Sequence, residues 1–135
     1  MGKMILNGKE YVGGENWHKY STSERVIGEW IDGKPLYQKT IYHGQSIPAG
    51  TDNFGISCGI SNVVDKVIDL TVIAKMGTEY KLLPQPVYTT NAQYPEWSIN
   101  MQGYDKSNDK VRIDTGMYTT IDECYVTLRY TKTTD

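Results

Sequence analysis

Imidazoles and thiols are scarce in this chain. It has two histidines, His18 and His43, and two cysteines, Cys58 and Cys124. Neither histidine stands at ligand-like spacing from either cysteine, so no Cys/His metal site is expected. Neither lies in a nucleophile motif, which argues against a base-assisted triad and for imidazoles at the surface or a strand end. Both cysteines sit in alternating apolar runs and read as small buried thiols. A disulfide would require the two strands to be neighbours, which spacing alone does not decide. Long apolar runs are also missing. Each is broken by Asp, Lys or Gly, so no membrane-spanning helix fits. MGKMILNGKEYVGG turns polar after Leu6, and no secretory signal is expected. Charge of one sign is not in excess: 14 basic residues face 16 acidic ones. A basic stripe for nucleic acid is lacking. Neither G-x-x-x-x-G-K-[ST] nor G-x-G-x-x-G occurs, so no phosphate cradle is expected.

Apolar helix formers are few as well. Ala, Leu and Met total 14 residues, whereas Thr, Ile, Val, Tyr, Trp and Phe total 50 of 135. That imbalance predicts an all-β protein. Thirteen glycines and five prolines supply turns. Period-two segments recur along the chain. Phe54, Ile56, Cys58 and Ile60 point one way; Ile68, Leu70, Val72, Ala74 and Met76 share a face; Cys124, Val126, Leu128 and Tyr130 face in, with Tyr125, Thr127, Arg129 and Thr131 out. Trp97, Ile99 and Met101 form one side of a further strand, and Val111 and Ile113 belong to another. About eight short strands with frequent turns predict an antiparallel β-sandwich, jelly-roll-like in outline. Asp32-Gly33 predicts a two-residue hairpin turn that pairs Ile31 with Lys34 and sets Trp30 opposite Pro35. Pro35 donates no ladder bond, so its strand is expected at an edge or to begin irregularly.

Residues 1–20 read as a Gly-containing tether, with Ile5, Leu6, Tyr11 and Val12 as its apolar attachment points, and residues 21–135 as the head. The carboxylate pairs Asp65/Asp69, Asp105/Asp109 and Asp122/Glu123 fit solvated faces and turns better than a glycosidase pair. Asp105, Ser107 and Asp109 resemble the start of a calcium loop. Lys110 and Gly116 stand where that loop needs Gly and Glu, so a plain hairpin tip is expected. Aromatic residues are concentrated in the loop-rich stretch 84–120: Tyr88, Tyr94, Trp97, Tyr104 and Tyr118. Such side chains stack on sugar rings or anchor protein interfaces, and these five are the candidate ligand- or host-contacting residues; core and half-buried positions are the alternative.

Within residues 20–43, YSTSERVIGEWIDGKPLYQKTIY resembles a module near the C-termini of bacteriophage fibre and minor structural proteins. The Gly-x-Trp-Ile-Asp-Gly-Lys core and the following Tyr-x-Lys-Thr carry the likeness. YVTLRYTKTTD, residues 125–135, resembles the module's end, and ILNGKEYVGG, residues 5–14, fits the Gly-rich segment that precedes it. The middle, residues 44–124, matches only as apolar strands between variable loops. The resemblance implies a non-enzymatic, cofactor-free virion component of head or tail: a fibre, spike or decoration domain. It implies a homotrimer that contacts other virion proteins, with a host-surface glycan or protein as a further partner, and neither nucleic acid nor membrane. A free carbohydrate-binding module, or a polysaccharide hydrolase, is the alternative.

Overall fold

A computed structural model describes residues 3–6, 9–12, 20–84, 99–116 and 119–135. All regular structure among them is β. The strands are β1 Lys3–Leu6, β2 Lys9–Val12, β3 Arg25–Glu29, β4 Pro35–His43, β5 Phe54–Ser57, β6 Val64–Met76, β7 Glu79–Leu83, β8 Asn100–Asp105, β9 Lys110–Asp114 and β10 Glu123–Lys132. Eight of them build two antiparallel sheets, ordered β3-β4-β10-β6-β7 and β5-β9-β8, the layers of a β-sandwich. The stretch expected as a tether contains a strand pair of its own. β1 and β2 pair antiparallel, with Lys3 opposite Val12 and Leu6 opposite Lys9.

The chain divides into two compact units, and β4, β6 and β10 contribute residues to both. One unit holds residues 1–40, 62–70 and 127–135. Its core includes Val64, Leu128 and Tyr130, with Tyr37 stacked on Tyr130 at 6.0 Å between ring centroids. On the opposite face of the sheet, Thr40 and Thr127 share a hydroxyl bond of 2.9 Å, and Arg129 Nε donates to Gln38 Oε1 at 2.9 Å. Thr131, expected to face water, is fully buried, and its hydroxyl donates to the Asp65 carboxylate. Lys34 reaches the same carboxylate at 2.9 Å and also donates to the Lys132 carbonyl, so this end of the sheet is covered by charged side chains. Lys132 in turn pairs with Glu24 and lies 4.3 Å from the Tyr37 ring centre.

The β3–β4 turn differs from the expected two-residue form. Trp30 N donates to Lys34 O and Gly33 N to Trp30 O, closing a three-residue loop, and Pro35 faces Glu29 rather than Trp30. The physical reason lies in the left-handed backbone that a type I′ turn requires at both central positions. Asp32, one of those two central residues, does not adopt it here. A type I turn needs it only at Gly33, whose φ is 87°. Asp32 Oδ1 then accepts from Lys34 N at 3.0 Å. β4 is an interior strand, and Pro35 is tolerated because it is the first residue of that strand.

The other unit holds residues 41–61 and 71–126. Two chain segments run through it as one antiparallel ribbon. Ile47 and Ile121 exchange both backbone bonds. Thr115 N donates to Thr51 O, and Thr51 N to the Thr115 hydroxyl, each at 2.9 Å. The ribbon then becomes the β5–β9 ladder, from Phe54 opposite Ile113 to Ser57 opposite Lys110. Strand pairs that leave one sheet and continue in the other are the jelly-roll device. The remaining strands depart from the full jelly roll, because β6–β7 and β8–β9 are local hairpins that each stay within one sheet. The alternations read from the sequence set the core of this unit: Ile56, Val72, Ala74, Val111, Ile113, Cys124 and Val126 are all buried.

Candidate functional site

The β8–β9 hairpin tip is a turn over residues 106–109, as its sequence leads one to expect. Its carboxylates are occupied by protein donors. Asp105 accepts from Ser107 N and Asn108 Nδ2, and Arg112 lies 3.5 Å away. The Asn108 hydrogen bond is the main influence holding the Asp105 carboxyl below its usual range. Asp109 has a left-handed backbone, φ 56°, and its carboxylate turns back onto the loop that follows β5. Gly59 N, Ile60 N and Ser61 N donate to it at 2.8, 3.1 and 3.2 Å. The Tyr104 hydroxyl adds a fourth bond at 2.7 Å. Burial pushes the Asp109 carboxyl up, but these four donors outweigh it and hold it below the ordinary value. The Tyr104 phenol moves up, first through burial and then through the bond to Asp109.

Tyr104 is therefore a half-buried staple between a hairpin and a loop, with its polar end engaged inside the protein. The other aromatic candidates, Tyr88, Tyr94, Trp97 and Tyr118, lie outside the described residues, as does His18. The backbone places Ile5 and Leu6 on β1 and Tyr11 and Val12 on β2. His43 ends β4 as expected, with its ring edge-on to Phe54 at 5.0 Å. Among the described residues, no group of three or more His, Cys, Asp or Glu is placed to hold a metal ion, and no helix is long and apolar enough to cross a membrane.

Cys58 and Cys124 are buried thiols with no disulfide between them. Burial, and secondarily Glu123, pushes the Cys124 thiol up to about 11. Reaction with a thiol reagent needs both access and thiolate. The native protein is therefore expected to leave both thiols unmodified at neutral pH, and the denatured chain to release two equivalents. Fast reaction of either thiol in the native protein would contradict this packing.

Among the described residues, an exposed aromatic cluster lies on the outer face of the larger sheet. Tyr125 alternates with buried Cys124 and Val126, so it faces outward. Tyr42 stands beside it on β4, ring centroids 5.0 Å apart, and donates its hydroxyl to Glu123. That bond leads the causes raising the Tyr42 phenol above its ordinary range. A Cβ on Gly44 would meet the Tyr42 ring at 2.8 Å, so glycine lets the ring fold over the chain. Ile73 faces outward between buried Val72 and Ala74, and the β6–β7 register puts Leu82 opposite Ile73 and Tyr80 opposite Lys75. Tyr80 and Leu82 are 63% and 58% exposed. Of these residues, Tyr125 was legible as outward-facing from the period of its strand. Tyr42, Tyr80 and Leu82 were not, because β4 is amphipathic in an irregular way and the face of β7 is set by its register with β6.

No family model matches the chain, and neither a curated protein nor a solved structure does.

Proposed function

We propose that this protein is a bacteriophage virion component, a fibre or decoration head displayed on the particle. The observation that carries the reading is where the phage-like sequence segments fall. Residues 20–43 supply β3 and β4, residues 125–135 supply most of β10, and these three strands are neighbours in one sheet. Side chains join them: Thr40 to Thr127, Gln38 to Arg129, Tyr37 to Tyr130 and Tyr42 to Tyr125. The resemblance therefore falls on one continuous framework rather than on scattered segments. In this reading the N-terminal segment with Ile5, Leu6, Tyr11 and Val12 attaches the head to other virion proteins. The described carboxylates detailed above hold loops and strand ends, which suits a rigid display domain.

The exposed Tyr42–Tyr125 pair favours a secondary role in contacting a host-surface glycan, because tyrosine rings stack on sugar faces with little side-chain entropy to lose. Many copies on one particle would turn weak sugar contacts into avid ones. An antibody against the chain is expected to label purified particles of the phage that encodes it, and the chain should appear in their protein content after stringent washing. Absence from washed particles, with glycan binding by the isolated chain, would replace this reading with a free carbohydrate-binding module. Turnover of a polysaccharide that vanishes with one carboxylate substitution would replace it with a hydrolase.

A further inference from the structure

From the edge of β7 that is unpaired among the described residues we infer a two-fold contact between two copies of this chain, in which their β7 strands pair antiparallel. An unpaired strand edge is a template for another strand, and proteins usually blunt such edges with bulges or brevity. Three of the four outer strands of the two sheets are blunted in this way. β3 shifts register between Val26 and Gly28, β8 shifts between Met101 and Tyr104, and β5 has four residues. β7 differs: its five residues keep an unbroken register with β6, from Glu79 opposite Met76 to Leu83 opposite Val72. Among the described residues, nothing pairs with its other side. Its outward side chains, Tyr80 and Leu82, are among the most exposed large apolar groups described.

The register of the contact follows from hydrogen-bond direction and charge. Gly77, with φ 64°, opens a two-residue turn that makes Met76 and Glu79 the closing pair of the hairpin. Glu79, Lys81 and Leu83 then aim their backbone groups at β6, and Tyr80 and Leu82 aim theirs at the open edge. A two-fold axis normal to the sheet keeps like faces together, so it passes through a residue rather than between two. Centred on Lys81, it would put two ammonium groups face to face, which is destabilising. Centred on Leu82, it would oppose Tyr80 with Pro84, which has no N–H to give. Centred on Tyr80, it sets the two Tyr80 residues as a hydrogen-bonded pair and places each Glu79 opposite the other copy's Lys81. Glu79 and Lys81 already lie 3.4 Å apart within one strand, so the four charges alternate in sign around the axis.

This contact goes beyond the virion reading and does not depend on it. A ladder between identical strands is isologous and closes at two copies, whereas the phage resemblance implies three. The test is sedimentation velocity on the full chain over its whole soluble concentration range. The expected species has twice the 15.3 kDa of the chain. Lys81→Glu, Glu79→Lys and Tyr80→Lys should each weaken the dimer by about tenfold or more, since each turns attraction into repulsion at the axis. The double exchange Glu79→Lys/Lys81→Glu should restore it to near the parent affinity. Far-UV circular dichroism checks that each variant keeps its strands, and the double exchange separates a broken interface from a broken fold. A monomer at every concentration, a trimer, or a dimer indifferent to all three single changes would overturn the inference. Each of these results is separate from whether the chain is found on particles.

Discussion

Asp109→Ala is expected to lower the unfolding free energy by about 3 kcal/mol, and Asp109→Asn by about half as much, in urea titrations at neutral pH. Three backbone N–H groups and the Tyr104 hydroxyl lose their acceptor in the alanine variant. Alanine must also hold the left-handed backbone of this position, φ 56°, which asparagine adopts more readily. The difference between the two variants therefore separates backbone strain and total loss of acceptors from loss of charge alone. The pH dependence has a definite sign. The folded carboxyl lies below its ordinary value, so its contribution is present above the unfolded value, about 4, and is lost as pH falls through the folded value. The gap in stability between parent and Asp109→Asn should be constant near neutrality and close in the acid limb. Asp65 and Asp105 are also held low and give the asparagine variant an acid limb of its own, less steep than the parent's. Amide exchange of Gly59, Ile60 and Ser61 should accelerate first. Equal urea midpoints for parent and both variants, or a gap that persists at low pH, would show that the carboxylate does not fasten the loop.

The alternating strands were legible in the sequence, and this staple was not. Cys124, Val126, Leu128 and Tyr130 announce their face because period-two burial is a local property of one strand. The same local logic identified Ile56 and Cys58, and Val72 and Ala74, as inward-facing. Asp109 looked like an ordinary residue at a hairpin tip because its donors lie 48 to 50 positions earlier, in a loop that reaches it only when β5 pairs with β9. Tyr104 read as a candidate contacting aromatic in a loop-rich stretch, because its partner Asp109 gave no sign of holding a loop. The Asp32-Gly33 dipeptide marked the right turn and misjudged its length, since only Gly33 takes the left-handed backbone that a two-residue turn needs at both centres. The outer position of β7 in its sheet was hidden too. Thr78, Glu79, Tyr80 and Lys81 carry no apolar alternation, and the face they present is fixed by β6.

Ile47→Ala should destabilise the protein by about 3 kcal/mol, as much as an alanine substitution at the strand-buried Ile113. Nothing local suggests so large an effect. HGQSIPAG has the composition of a loop, and Ile47 sits next to Pro48 between two glycines. Yet its side chain is fully buried, and its backbone exchanges both hydrogen bonds with Ile121, itself fully buried. Among the described residues, these two make the one reciprocal pair of backbone bonds between the β4–β5 segment and the β9–β10 segment, and Gly50 and Thr51 add single bonds to Gly116 and Thr115. Truncation removes three carbons from a fully buried side chain, so a cavity term adds to the lost transfer energy. Ile47→Val, which removes one carbon, should cost about 1 kcal/mol. Chemical denaturation with an unchanged m-value checks that the fold survives in each variant. A loss below about 1 kcal/mol for the alanine variant would mean that the crossing between sheets is a flexible loop, and that the ribbon does not hold the sandwich closed at that end.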